Sequence, residues 1–212
     1  MEKECFDLMR FFEGYVRNYR RLNIEQGNNL SMFTRREIEY FAKLGEYLGY
    51  HTFIEDYKPN LKLGRSRPMD LSWWKYDARE NKDEFIKLVL HLERENFCTK
   101  AEETIEKLFS KTEEEYIPDY VIGIQNVEAQ ERIRDLNKLV VKNNRKQNSD
   151  VLMIYRYSVG LENDRFIDRI WAYYFSGTKI LKERKAISDV DDFGYWFMCF
   201  EEEYKNKAKL ED

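Results

Sequence analysis

The sequence predicts one α/β domain, in which helices and strands alternate through the middle of the chain. Two patterns predict this class: apolar residues recur at helical spacing in four segments, and short apolar runs typical of strands lie between those segments. The 212 residues are 42% hydrophobic and 16% aromatic, which is ample material for a core. Because they include only 3 Pro and 9 Gly, the chain is neither collagen-like nor a Pro/Gly linker.

The amino-terminal part predicts two helices. The first covers residues 3–21, where apolar side chains keep helical spacing. A polar stretch at 26–29 interrupts this pattern. The second helix is predicted to begin with Thr34 as its N-cap and to reach Leu48, with Gly49 ending it.

Three strands are predicted next, at residues 50–54, 69–74 and 85–92. A basic loop at 58–68 separates the first strand from the second. Because the third run is almost continuously apolar, it suits a central strand covered on both faces. The pair Trp73-Trp74 in the second strand predicts core packing, with a base-stacking surface as the alternative.

Helices and strands then alternate as far as residue 155. The elements are a helix at 99–109, a strand at 120–124, a helix at 127–143 and a strand at 151–155. The chain is therefore predicted to consist of an N-terminal helical extension, an α/β core and C-terminal elements packed on that core. The three parts are residues 1–33, 34–155 and 156–212.

The carboxyl-terminal part predicts a hairpin. Residues 170–175 and 180–187 can pair across Ser176-Gly177-Thr178. The last apolar block, residues 195–200, fits a strand or a helical turn.

Composition also bears on the compartment. A mean hydropathy of −0.77, with no apolar run near 20 residues, excludes a membrane span. The charged amino terminus, Met1 to Cys5, lacks the apolar region of a signal peptide. The three cysteines form no CxxC pair, which favours reduced thiols and a cytoplasmic location. A nucleophilic pair of Cys98 with one of the two histidines is the alternative.

Three acidic residues fall at the ends of two predicted strands. Asp70 lies in the second strand, and Glu93 and Glu95 lie at the end of the third. Residues i and i+2 of a strand point to the same face, so Glu93 and Glu95 project together, and Asp70 joins them if the two strands are neighbours. Three converging carboxylates need a neutralising partner, and Mg²⁺ prefers such oxygen ligands.

This pattern resembles the PD-(D/E)xK, or restriction-endonuclease-like, nucleases. The resemblance covers residues 34–155 and rests on element order together with two motifs, Arg67-Pro68-Met69-Asp70-Leu71 and Glu93-Arg94-Glu95. It implies an αβββαβ core with a mixed central sheet flanked by helices. It also implies a Mg²⁺- or Mn²⁺-dependent endonuclease that hydrolyses DNA, with Asp70, Glu93 and Glu95 at the metal. The family often adds a glutamate from the first core helix, which implies Glu37, with Glu39 as the second choice.

The sequence departs from the family pattern at two positions. Met69 separates Pro68 from Asp70, which matters little because the proline is not a ligand. Glu95 occupies the position where the family usually has lysine. A glutamate there could take a proton from water or help to bind a second metal ion. A lysine could also come from the following helix, for which Lys100 and Lys107 are the candidates.

Two alternatives to an active nuclease remain. The first is a catalytically inactive module of the same fold that binds nucleic acid or a protein partner. The second is an unrelated α/β domain whose acidic residues only decorate its surface.

The net charge of −4 hides a strong segregation of charge along the chain. Residues 76–131 carry 7 Lys or Arg against 15 Asp or Glu, whereas residues 132–188 carry 13 against 6. The basic residues predicted to bind the DNA backbone lie in the loop before Asp70 and on the helix at 127–143. They are Lys58, Lys62, Arg65 and Arg67 in the loop, and Lys138 and Lys142 on the helix, where Arg134, Arg145 and Lys146 share the same face. An ordinary solvated helix is the alternative for that face, and whether the chain forms a homodimer stays open.

Overall fold

The described part of the chain forms a mixed sheet of eight strands, flanked by helices on both faces. The structure is a computed structural model that describes residues 5–23, 29–54, 69–75, 87–111, 116–161 and 166–204. The α/β class with a mixed, helix-flanked sheet is therefore confirmed. The helices are α1 (Leu8–Asn23), α2 (Leu30–Tyr47), α3 (Ala101–Leu108) and α4 (Gln130–Asn144). The strands are β1 (His51–Ile54), β2 (Leu71–Lys75), β3 (Lys87–Glu95), β4 (Tyr120–Asn126), β5 (Asp150–Gly160), β6 (Phe166–Ser176), β7 (Lys179–Val190) and β8 (Trp196–Phe200).

The strands lie side by side in the order in which they occur in the sequence. β1, β2 and β3 are antiparallel neighbours, β3, β4 and β5 are parallel, and β5 to β8 are antiparallel again. The two parallel steps are made by the crossover helices α3 and α4. As a result, the carboxyl ends of β3, β4 and β5 meet at one edge of the sheet.

Each face of the sheet has its own apolar core. The first core contains side chains of α1 and α2 together with Leu90, Leu92 and Ile122 of the sheet. The second core contains side chains of α3 and α4 together with Val121 and Met153. Because neighbouring residues of a strand point to opposite faces, side chains that follow one another in β3 after Leu90 face different helices. Val89 and Leu90 both enter the first core, at the register shift between Trp73 and Trp74.

The start of α2 differs from the prediction, whereas its end agrees with it. Asn29, not Thr34, caps the helix, and its side-chain oxygen accepts a hydrogen bond from the Met32 amide at 3.1 Å. The Thr34 hydroxyl instead accepts a hydrogen bond from the Asn96 side chain at 2.9 Å. Gly49 follows the helix with φ at +90°, the left-handed conformation that ends helices. None of the described helices is long and apolar enough to cross a membrane.

The carboxyl-terminal strands extend the sheet and are covered by the amino-terminal helix. β6 and β7 form the predicted hairpin, with Gly177 at φ +57° in its turn, and the block at 195–200 is a strand. α1 packs across β5 to β8, and the rings of Phe12 and Phe200 lie 6.3 Å apart. Arg17 of α1 forms an ion pair with Glu203, just after β8. The first helix and the last strand are thus direct neighbours.

Both tryptophans of β2 are buried, as core packing requires. Trp73 stacks on Tyr50 at 5.8 Å, in the first core. Trp74 meets Tyr116 edge-on at 5.0 Å, in a smaller cluster.

Candidate active site

The strand register brings Asp70 and Glu93 together. Leu71, the first residue of β2, pairs with Leu92 of β3, so Asp70 lies opposite Glu93. The Asp70 amide donates a hydrogen bond to Glu93 Oε2 at 3.1 Å, and the Arg94 amide donates one to Asp70 Oδ2 at 2.8 Å. Each carboxylate is thus held by the backbone of the strand that carries the other, which fixes both side chains at the carboxyl end of β3.

A lysine from the following helix completes this cluster. Lys107, near the end of α3, donates a hydrogen bond from Nζ to Glu93 Oε1. The Lys107 side chain is 36% exposed and the Glu93 side chain 8%, so the ammonium lies at the rim and the carboxylate lies below it. Lys100 lies at the start of α3 instead, with Nζ 5.8 Å from the centre of the Phe97 ring. Of the two lysines considered from the sequence, the structure brings Lys107 to the acidic residues.

The surroundings of Glu93 favour its protonated form. Burial raises the pKa of Glu93, the charge of Asp70 raises it further, and Lys107 opposes both, with the result that the pKa lies at about 7. A carboxylate pair that is costly to ionise is stabilised by an additional positive charge. The electrostatics of the pair therefore suit a cation between Asp70 and Glu93.

Glu95 points to the same face as Glu93 but has its own partner. Its Oε1 accepts a hydrogen bond from the Phe97 amide at 2.8 Å. Within the ranges that the structure describes, no group of three or more His, Cys, Asp or Glu side chains is placed to hold a metal ion. The structure thus brings together two of the three predicted carboxylate ligands, Asp70 and Glu93.

Gln125 was not singled out from the sequence, although it lies beside these acidic residues. It pairs with Glu95 across the parallel strands β3 and β4 and is fully buried. Its Nε2 donates a hydrogen bond to the Ala101 carbonyl at 3.2 Å, whereas its Oε1 has no hydrogen-bond partner among the described residues. A buried oxygen acceptor without a donor is a ready ligand for a hard cation. The signal available in the sequence was its place at the carboxyl end of a buried strand.

Glu37 lies on the other face of the sheet, in a buried charge network. Its carboxylate accepts hydrogen bonds from the Tyr15 hydroxyl and from Arg94 Nε, the latter at 2.6 Å, and Arg156 Nη2 lies 3.7 Å away. Burial works to raise the pKa of Glu37, but the charges of Arg94 and Arg156 outweigh it, so the pKa is lowered. The contacts of Glu37 thus balance two arginines and do not bring it to Asp70 and Glu93. Glu39, the second choice, pairs with Arg35 and Arg36 at the surface.

The basic residues predicted to bind DNA divide into two groups. Lys58, Lys62, Arg65 and Arg67 lie outside the described residues. Lys138 and Lys142 are exposed on α4, as predicted, and line a groove together with Arg134 and Arg145.

The donor set at the carboxyl end of β3 fits Mg²⁺ or Mn²⁺. Both ions prefer oxygen ligands, and Asp70 and Glu93 supply two carboxylates with Gln125 Oε1 on a neighbouring strand. Lys107 adds a positive charge at the rim, where an anionic group would approach.

Comparisons with known proteins do not identify a relative. No protein-family model matches the chain, and no curated protein matches its sequence.

Proposed function

We propose that the chain is a Mg²⁺- or Mn²⁺-dependent nuclease that hydrolyses phosphodiester bonds of DNA, with a restriction-endonuclease-like core. The observation that carries the proposal is the convergence of Asp70, Glu93 and Lys107 at the carboxyl end of β3. Two carboxylates can hold a divalent cation that activates water, and an ammonium group can bind an anionic phosphate. The element order supports the proposal, because a helix, three antiparallel strands and the crossover helix α3 lead to the parallel strand β4.

Each residue has a distinct role in this proposal. Asp70 and Glu93 would hold the cation, and Gln125 Oε1 could complete its protein ligands. When bound, the cation would polarise the phosphodiester and lower the pKa of a coordinated water. Lys107 would then give up its bond to Glu93 and orient the phosphate or the attacking hydroxide with its ammonium group. Glu95, half-buried at the end of β3, would accept the proton released by the water.

A non-catalytic module of the same fold is the second candidate. It is favoured by the absence, among the described residues, of a third acidic side chain at Asp70 and Glu93. In this case the Lys107–Glu93 pair would be a structural ion pair, and the chain would bind nucleic acid or a protein without cleaving. This candidate predicts no binding of Mg²⁺ or Mn²⁺ by calorimetry.

A cleavage assay on supercoiled plasmid DNA and on single-stranded circular DNA, with Mg²⁺, Mn²⁺ or EDTA, tests the proposal. Asp70→Asn and Glu93→Gln should reduce cleavage to the EDTA background, and Lys107→Met should reduce it at least 100-fold. The matched controls are Lys100→Met and Glu103→Gln, which change exposed residues at the other end of the same helical segment and should cleave like the wild type. Cleavage that survives Asp70→Asn would reveal a contaminating nuclease.

Metal binding provides an independent measurement. Calorimetric titration with Mn²⁺ should show binding to the wild type and to Glu103→Gln, and no binding to the Asp70→Asn/Glu93→Gln double variant. If the double variant binds Mn²⁺ as the wild type does, Asp70 and Glu93 are not the metal ligands. The absence of both cleavage and binding would favour the non-catalytic module.

A further inference from the structure

An elongated groove runs along one side of α4, on the face of the sheet that carries α3. Its volume is about 790 Å³. One wall is α4, and the floor is formed by β6 and β7, the two strands of the C-terminal hairpin, with Trp171 and Tyr173 on β6. None of the residues discussed above as metal ligands lines it, so it is a separate surface.

The wall contributed by α4 is strongly basic. Arg134, Lys138 and Lys142 follow one another at intervals of four residues, and Arg145 lies one turn further. Four residues of an α-helix rise by about 6 Å, so these cations form a row with that spacing. Lys138 pairs with Asp135 at 2.8 Å, but both side chains are more than half exposed, so the pair is weak. Glu131 is the acidic residue at the amino-terminal end of the groove.

The floor of the groove is apolar, which determines the type of anion that fits. Trp171, Tyr173 and Ile180 line it; the two aromatic residues are 9% and 7% exposed and present only an edge to the groove, whereas Ile180 is 49% exposed. Lys185 Nζ lies 4.0 Å from the centre of the Trp171 ring and 3.6 Å from a carboxylate oxygen of Glu183, so it does not add a free cation to the floor. A DNA duplex presents phosphates and sugars on its outside and keeps its base faces stacked inside. A row of cations beside an apolar floor matches a strand with unstacked bases.

The strand register relates this floor to the carboxylate site. Glu93 pairs with Gly123, Gly123 with Met153, and Met153 with Tyr173, so Glu93 and Tyr173 lie in one row across the sheet. By the same pairing, Glu95 and Trp171 lie in the next row. Three strand spacings separate the members of a row, about 14 Å. A short stretch of single strand could therefore reach from the groove, around the amino-terminal end of α4, to Glu93.

We infer that this groove binds single-stranded nucleic acid, with phosphates along Arg134, Lys138 and Lys142 and bases against Trp171, Tyr173 and Ile180. The inference rests on the proposed nuclease function, since it identifies the substrate as single-stranded. Its binding energy comes from residues outside the carboxylate site, so binding in the absence of metal ions tests it separately.

Fluorescence anisotropy with a labelled twelve-nucleotide oligothymidylate, in EDTA, measures this binding. Lys138→Gln/Lys142→Gln should weaken it at least tenfold and reduce the slope of log affinity against log salt by about 1.4, the value for two lost phosphate contacts on a single strand. The matched control is Arg35→Gln/Lys43→Gln, which removes two exposed charges from α2 on the opposite face and should leave affinity unchanged.

A second pair of variants tests the floor. Ile180→Ser should weaken binding severalfold, whereas Leu181→Ser should not, because Leu181 is exposed on the same strand but does not line the groove. A duplex of the same length should bind at least tenfold more weakly than the single strand. Any one of three results would overturn the inference. The duplex could bind as tightly as the single strand or more tightly, Lys138→Gln/Lys142→Gln could bind as tightly as the wild type, or an acidic peptide could bind in preference to the oligonucleotide. Binding in EDTA without metal-dependent cleavage would uphold the groove and refute only the nuclease.

Discussion

Glu37→Gln provides a sharp test of the buried charge network between α2 and the sheet. The substitution keeps the shape of the side chain but removes the negative charge that faces Arg94 and Arg156. The Arg94 and Glu37 side chains are 1% and 0% exposed, so the arginine cannot turn to water without opening the core. Removing one partner of a buried ion pair costs about 3–5 kcal/mol, because the other charge stays buried without compensation.

The chain supplies a matched control on the same helix. Glu39, two residues further along α2, also faces two arginines, Arg35 at 3.1 Å and Arg36 at 3.5 Å, but its side chain is 31% exposed. Ion pairs of this kind contribute about 0.2–1 kcal/mol, so Glu39→Gln should have a small effect. For a domain of this size, the loss at Glu37 corresponds to a fall of roughly 6–20 °C in Tm.

Urea unfolding followed by circular dichroism measures both variants against the wild type at pH 7. The free energy of unfolding should fall by about 3–5 kcal/mol for Glu37→Gln, with an unchanged dependence on urea. Glu37→Leu/Arg94→Met should be more stable than Glu37→Gln, because it leaves one arginine, Arg156, without its carboxylate partner instead of two. The reasoning is refuted if Glu37→Gln and Glu39→Gln are equally stable, since burial would then have no effect on how much an ion pair contributes to the free energy of unfolding.

Two further predictions concern stability. Burial lowers the pKa of the fully buried His91 to about 3, below its value near 6.5 in the unfolded chain. The free energy of unfolding should therefore fall by up to about 1.4 kcal/mol per pH unit as the pH falls from 6.5 towards 3, because only the unfolded state takes up the proton in this range. Urea midpoints in EDTA should show this loss for the wild type and a shallower one for His91→Leu; equal slopes would contradict it. A Cβ at Gly45 would lie 2.6 Å from the ring of Trp73, so Gly45→Ala should cost about 1–3 kcal/mol despite the higher helix propensity of alanine. Gly14→Ala is the control, because its new Cβ meets only the hydroxyl end of Tyr40, which can move; equal stability of the two variants would argue against the clash.

The predicted order of elements agrees with the structure because burial patterns are local. The nearly continuous apolar run of β3 and the helical spacing of α4 needed no long-range information. The start of α2 was placed at Thr34 because its hydroxyl can cap a helix, but the hydroxyl is used by Asn96, a partner 62 residues away. Such competition between donors for one acceptor is decided by packing.

At the candidate site, too, local patterns predict some features and only packing decides the others. The proximity of Asp70 and Glu93 follows from the adjacency of β2 and β3, which the sequence alone leaves as a condition. The resemblance implies Glu37 as a further acidic residue at the metal, but no pattern in its helix says which residue of β3 it will meet. The alternation of β3 turns Arg94 towards Glu37 and Glu93 towards Lys107. Choosing Lys107 over Lys100 required the angle at which α3 crosses the sheet, which no spacing pattern contains.

The contact of α1 with β8 also determines when the amino-terminal helix can find its place. The surface that covers α1 includes Phe200 and Glu203, which enter the chain almost 190 residues after Phe12 and Arg17. During synthesis, α1 leaves the ribosome long before this surface exists. The side of α1 that contacts β8 therefore has no packing partner until β8 has been made. Closing so long a loop is slow, and contacts of large sequence separation lower folding rates. α1 should therefore be among the last of the described helices to dock fully, and a chain shortened before β8 should leave the side of α1 around Phe12 and Arg17 open to water.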